Sequence, residues 1–227
     1  MQYELVCPGP YVMLKVKLAP GESLKAEAGA MIAMSDTVDV TGSMEGGVIK
    51  GLMRTLAGES FFFQRLTASR GPGEVLLAHS VPGEIVPIQL DGQTEYILQK
   101  DGFFAATADV DIGTKMQNLM KGLFSGEGFF VLKASGVGTL FISSFGAIYP
   151  IELAAGQEMI IDNGHLVAWP TTVEYHVEKA SRGWISSITS GEMLVLRFRG
   201  PGRVYIQTRN PWGFGSWLRA FLPSSKS

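Results

Sequence analysis

Three glutamates stand in one local setting: Glu59 in Gly58-Glu59-Ser60-Phe61-Phe62-Phe63, Glu127 in Gly126-Glu127-Gly128-Phe129-Phe130-Val131, and Glu192 in Gly191-Glu192-Met193-Leu194-Val195-Leu196. Converging in space, such carboxylates would form a ring or an acid/base pair. Catalysis seldom needs three equivalent residues of one chain, whereas a repeated unit needs each of its strands started alike. The pattern therefore favours a structural role. The other candidates for chemistry are sparse. His79, His165 and His176 stand far apart, and no His-x-His, His-Glu-x-x-His or Cys-x-x-Cys spacing offers a metal cage. There is no Gly-x-Ser-x-Gly elbow, and the single cysteine, Cys7, precedes Pro8 near the terminus, a poor place for a nucleophile. The sequence thus predicts no catalytic residue, no metal and no cofactor. The enzymatic alternative is a ligand-binding or cupin-like β barrel in whose cavity His79, His165 or His176 meets carboxylates.

The elements that hold these residues recur. Each Gly-Glu run leads to a Gly-x-Gly and a second apolar run: Gly71-Pro72-Gly73, Gly136-Val137-Gly138 and Gly200-Pro201-Gly202. The Gly-Glu pairs start 68 and then 65 residues apart. A second pattern interleaves with the first. From Gly21 the chain reaches Gly29, Ala33 and Val38, and from Gly156 it reaches Gly164, Ala168 and Val173, at offsets of 8, 12 and 17 in both. A middle copy, with Gly92, Gly102, Ala106 and Val110, keeps the order with a shift of a residue or two. A fixed period of this kind is the mark of one supersecondary unit used repeatedly. The expected organisation is a single compact domain over 1–227, made of three repeats at about 14–78, 85–143 and 148–208, with an aromatic segment at 211–223.

Composition points to strands. The chain is 46% hydrophobic and only 18% charged, with 28 glycines and 11 prolines, which favours short strands and tight turns over long helices. Leu24–Ala28, Val75–His79, Val173–Val177 and Arg203–Gln207 are apolar or alternating runs of strand length. Each Gly-x-Gly lies between two apolar runs, where glycine permits the positive φ of a hairpin loop. None completes Gly-x-Gly-x-x-Gly, since Leu76, Phe141 and Tyr205 occupy the last position, so a dinucleotide site is not expected. Ala134 to Ile151 is uncharged for 18 residues, but its glycines, serines and Gly-x-Gly mark buried strands around a hairpin rather than a membrane span.

A few short helices are expected to decorate this β body. Met116, Leu119, Met120, Leu123 and Phe124 share one helical face, as do Val48, Ile49, Leu52, Met53 and Leu56. Trp184, Ile185 and Ile188 form a shorter version, and Ser216 to Leu222 reads as a helix capped by Ser216 and stopped by Pro223. Lys50, Arg54, Lys115, Lys121 and Arg219 lie beside these faces. Such faces pack on their own core by default; a subunit contact or a membrane surface is the sharper reading.

The formal net charge is −2, so no overall positive field draws the chain to nucleic acid. Arg197, Arg199, Arg203 and Arg209, interleaved with Phe198 and Tyr205, are a local exception, but strand alternation makes them a solvated face with Phe198 turned inward. The opening Met1 to Val6 has neither a basic n-region nor an apolar h-region, and a lone cysteine permits no internal disulfide. The expected location is the cytoplasm, with attachment to a membrane surface as the variant.

Ile49-Lys50-Gly51-Leu52-Met53-Arg54 running into Gly58-Glu59-Ser60-Phe61-Phe62, then Gly126 to Phe130, then Gly200 to Arg209, resembles the altered-inheritance-of-mitochondria family over nearly the whole chain. The resemblance implies repeated double-stranded β-helix units similar to the tryptophan RNA-binding attenuation protein. It also implies a link to inner-membrane organisation, and it supplies no catalytic motif. The expected protein is an all-β, non-enzymatic scaffold that self-associates. Its contact surface is expected at Trp212, Phe214, Trp217, Leu218 and Phe221, because large aromatics near a chain end must be covered by the body or by a partner.

Overall fold

The computed structural model describes residues 1–43, 63–117, 129–179 and 194–223. The described chain is mostly β-strand. A first stretch contains β1 (Gln2–Val6), β2 (Met13–Leu18), β3 (Ser23–Glu27), β4 (Met31–Met34), β5 (Asp39–Ser43), β6 (Phe63–Thr67) and β7 (Gly73–Ala78). A second contains β8 (Ile85–Asp91), β9 (Tyr96–Gln99), β10 (Phe103–Thr107), β11 (Val110–Gln117) and the long β12 (Phe129–Ser143). A third contains β13 (Ile148–Leu153), β14 (Glu158–Asp162), β15 (Leu166–Pro170), β16 (Glu174–Lys179), β17 (Leu194–Arg199) and β18 (Gly202–Gln207), followed by a helix, α1 (Pro211–Arg219).

Alternation decides which face each strand buries. In β2 the side chains of Leu14, Val16 and Leu18 are buried, while Lys15 and Lys17 between them are not. In β7, Val75 and Leu77 are the buried pair. These residues share one apolar cluster with Leu24, Leu66, Phe104 and Phe141. A second cluster collects Leu98, Leu132, Leu140 and Val167, and a third collects Trp169, Leu196, Phe198 and Val204.

The pairing is antiparallel and follows one scheme. In the first stretch β2 pairs with β7 and β7 with β4, while β3 pairs with β6 and β6 with β5. In the third, β13 pairs with β18 and β18 with β15, while β14 pairs with β17 and β17 with β16. In the second, β12 serves as both partners: its first half pairs with β9 and β11, its second half with β8 and β10. Two further pairings join the stretches, β10 with β3 and β15 with β9. The result is an eleven-stranded sheet flanked by a four-stranded sheet, β1-β2-β7-β4, and a three-stranded sheet, β14-β17-β16.

The expected hairpins at Gly-x-Gly are corrected. A hairpin would pair its two flanking strands with each other, yet β6 and β7 belong to different sheets, as do β17 and β18. The middle Gly136-Val137-Gly138 lies inside β12, where the strand passes from one set of partners to the next. The first and third motifs are corners at which the chain leaves one sheet and enters another, and the middle one is where β12 changes partners within the eleven-stranded sheet. Their positive φ serves that bend: Gly71, Gly138 and Gly202 each have φ of 146°. The second glycine of each also leaves room for a valine. A Cβ on Gly73 would stand 2.5 Å from Val38 Cγ2 and one on Gly138 would stand 3.2 Å from Val110 Cγ2. One on Gly202 would clash with Val173 Cγ2.

The expected helices fare unevenly. Those at 48–56, 119–124 and 184–188 lie outside the described residues. Met116, placed at the start of the second, is instead in β11, where the backbone pairs with Phe130 of β12 and the ladder runs on through Gln117. The last helix begins at Pro211 rather than Ser216.

Candidate interaction surface

The start of α1 is set by Asn210. Its side-chain oxygen accepts hydrogen bonds from the amides of Trp212 at 2.9 Å and Gly213 at 3.3 Å, and Pro211 at the first helical position gives up no useful donor. Ser216 is therefore inside the helix and not its cap. Arg219 in the last turn suits the negative end of the helix. Phe214 ties α1 to the β body by an edge-to-face contact with Phe145 at 5.1 Å between ring centroids.

Three of the expected surface residues, Phe214, Trp217 and Phe221, meet along this helix and the turn after it. Phe214 stacks on Trp217 at 5.9 Å, and Trp217 meets Phe221 at 4.9 Å. Their outer faces stay open: Trp212 is 78% exposed, Trp217 59% and Phe221 68%, and Leu218 is exposed as well. No residue of α1 is buried. An aromatic ladder so weakly covered by its own chain is an apolar surface held ready for contact.

The other sequence-chosen residues separate. Gly58, Glu59, Gly126, Glu127, Gly191 and Glu192 lie outside the described residues, whereas Gly71, Gly73, Gly136, Gly138, Gly200 and Gly202 form the corners and the change of partners described above. Of the arginines, Arg197 is held by Glu178 at 2.8 Å and reaches Glu158 at 3.4 Å, and Arg203 pairs with Glu152. Among the described residues carboxylates answer two of the four charges, and Phe198 is fully buried. Among the described residues no group of three His, Cys, Asp or Glu is placed to hold a metal ion, and no helix is long and apolar enough to cross a membrane.

His79 does meet a carboxylate: its Nε2 lies 3.7 Å from Glu27. Burial, and secondarily the charge of Asp101, pushes the Glu27 carboxyl up to about 7, and burial holds His79 below its ordinary range. Both shifts favour the neutral forms, and 3.7 Å is too long for a hydrogen bond, so this is a contact of two reluctant charges more than an ion pair. No spacing in the sequence links these residues. Lys25 was equally hidden: it is 1% exposed, and its Nζ donates to the Val110 carbonyl at 2.8 Å.

Fold and surface together define an all-β protein of interlocked antiparallel sheets carrying an exposed aromatic helix. Residues 3–209 match the family described as Mitochondrial biogenesis AIM24, and the chain belongs to that family. An uncharacterised protein of Streptococcus pyogenes serotype M6 is 34% identical over 225 residues, covering 96% of this chain and 89% of the relative. The mitochondrial protein named altered inheritance of mitochondria protein 24 of Verticillium alfalfae is 27% identical over 165 residues, and that of Aspergillus flavus 21% over 253. These matches cover 42% and 61% of the fungal proteins' lengths. The crystal structure of the protein SPYM3_0169 from Streptococcus pyogenes superposes with a TM-score of 0.79 at 31% identity, covering 97% of this chain and 99% of that one.

Proposed function

We propose that this protein is a non-enzymatic β scaffold that associates with itself, built as three successive copies of one six-strand unit. The observation that carries the reading is the open aromatic face of α1, which a monomer leaves in water at a cost of about 25 cal/mol for each Å² of apolar surface. The recurrent pairing scheme supports the three-unit part. Membership of a mitochondrial biogenesis family makes a role in organising a membrane-associated assembly the matching context.

Light scattering on the purified chain across a wide concentration range tests this. The expected mass rises above the 24.5 kDa of one chain, and Trp217→Asp with Phe221→Asp lowers it. A single-chain mass at every concentration would remove the proposal. Flotation with anionic vesicles checks the other cover for α1: recovery of the chain with lipid and not with itself would replace self-association by membrane contact.

A further inference from the structure

We propose that copies of this chain join head to tail by pairing β4 of one copy with β14 of the next. The inference rests on the self-association reading and adds a second contact to that of α1.

Within the chain, the third strand of the second and of the third stretch pairs with the stretch before it: β10 with β3, and β15 with β9. Each pairing fuses two three-stranded groups. The group β8-β12-β10 continues into β3-β6-β5, and β13-β18-β15 continues into β9-β12-β11. Two groups are left at the ends. β2-β7-β4 stops at β4, and β14-β17-β16 stops at β14, with no strand across from either among the described residues. These are the two halves that the internal junctions bring together, and they lie at opposite ends of the strand order.

The side chains at the two edges are what a missing neighbour would cover. A register shift falls at the same point of β4, β10 and β15, so Ile32, Phe104 and Val167 occupy one bulged position. Phe104 is 0% and Val167 1% exposed inside the chain, but Ile32 at the free edge is 53% exposed. Met34 stands where Ala106 and Trp169 are fully buried, and it is 39% exposed. On the opposite edge, Ile160 corresponds to Lys25 and Ile97, both buried, and is 36% exposed. The internal register, with Ala106 opposite Lys25 and Trp169 opposite Ile97, sets Met34 of one copy opposite Ile160 of the next. An unpaired edge flanked by bare apolar residues is a template for another strand. Because the two edges differ, the contact is heterologous and generates a ring or a filament, not an isologous dimer.

The test is made on the full-length chain. Met34→Lys and Ile160→Glu, each alone, are expected to weaken association by at least about tenfold in sedimentation, and the double variant, which sets opposite charges across the junction, is expected to recover part of it. Thermal melts matched to the parent show that each variant folds. In a Cys7→Ser background, Met34→Cys with Ile160→Cys should give, on oxidation, a ladder of multimers on a non-reducing gel. Strands paired in this register bring the two Cα atoms to about 4.5–5.5 Å, within disulfide reach. Bands at the single-chain mass alone would overturn the proposal, whether the thiols stayed free or closed within one chain. Association of the parent that persists unchanged in Met34→Lys, while the Trp217→Asp variant dissociates, would overturn the edge pairing and leave self-association standing. A parent that never associates would defeat both.

Discussion

Glu27 carries the clearest pH dependence at the scale of single residues. Its folded carboxyl holds a proton up to about 7, against an ordinary 4.5, chiefly because it is partly buried. The stability associated with the protonated form is therefore complete below about 4.5 and is lost as pH rises through about 7. His79 opposes this from the other side, since its depressed pKa makes protonation costly as pH falls below the ordinary histidine value. Removing the carboxylate isolates the first effect. Glu27→Gln is expected to unfold at higher denaturant than the parent at pH 8, by about 1–2 kcal/mol after allowance for its partial exposure, and at nearly the same point at pH 4.5. Equal shifts at both pH values would refute it. Lys25 shows why such residues escape a reading of pattern. Leu24-Lys25-Ala26 looks like an alternation with Lys25 outward, yet all three are buried because β3 is covered on both faces. The carbonyl that satisfies Lys25 belongs to Val110, far along the chain.

Among the elements, the corners at Gly-x-Gly are the most constrained. Gly202 combines a φ of 146° with a valine methyl where a Cβ would go, so neither the backbone nor the packing admits a side chain. Gly202→Ala should cost about 2–4 kcal/mol in chemical denaturation. Gly215→Ala in α1, where no atom lies within 4 Å of the new Cβ, should instead be neutral or gain about 0.5–1 kcal/mol. Similar costs at the two sites would sink the corner argument. The strands themselves were largely legible: the runs at Leu24, Val75, Val173 and Arg203 fall in β3, β7, β16 and β18. The sense of the turns was not. An apolar run, two glycines and another apolar run describe a hairpin and an inter-sheet corner equally well, and only the choice of partner strands separates them. The start of α1 was missed for a local reason, since Asn210-Pro211 is a stronger helix opening than Ser216.

At the scale of the whole molecule, the all-β class and the aromatic C-terminal surface were both readable from composition and from Trp212 to Phe221. The arrangement of sheets was not, because it depends on pairings between residues far apart in the chain, such as Leu18 with Gly73 and Tyr149 with Ile206. In the middle of the chain a single strand, β12, bonds to four others, β8, β9, β10 and β11. That has a mechanical side. Tension applied through the two chain ends first meets β1 and β18, while β12 is gripped along both halves by neighbours on either edge. A single molecule stretched in an optical trap should therefore yield in steps, with the segment 85–143 giving way last and at the highest force; release of that segment first would show that the grip lies elsewhere. The middle strand is in this sense a rivet through two sets of partner strands.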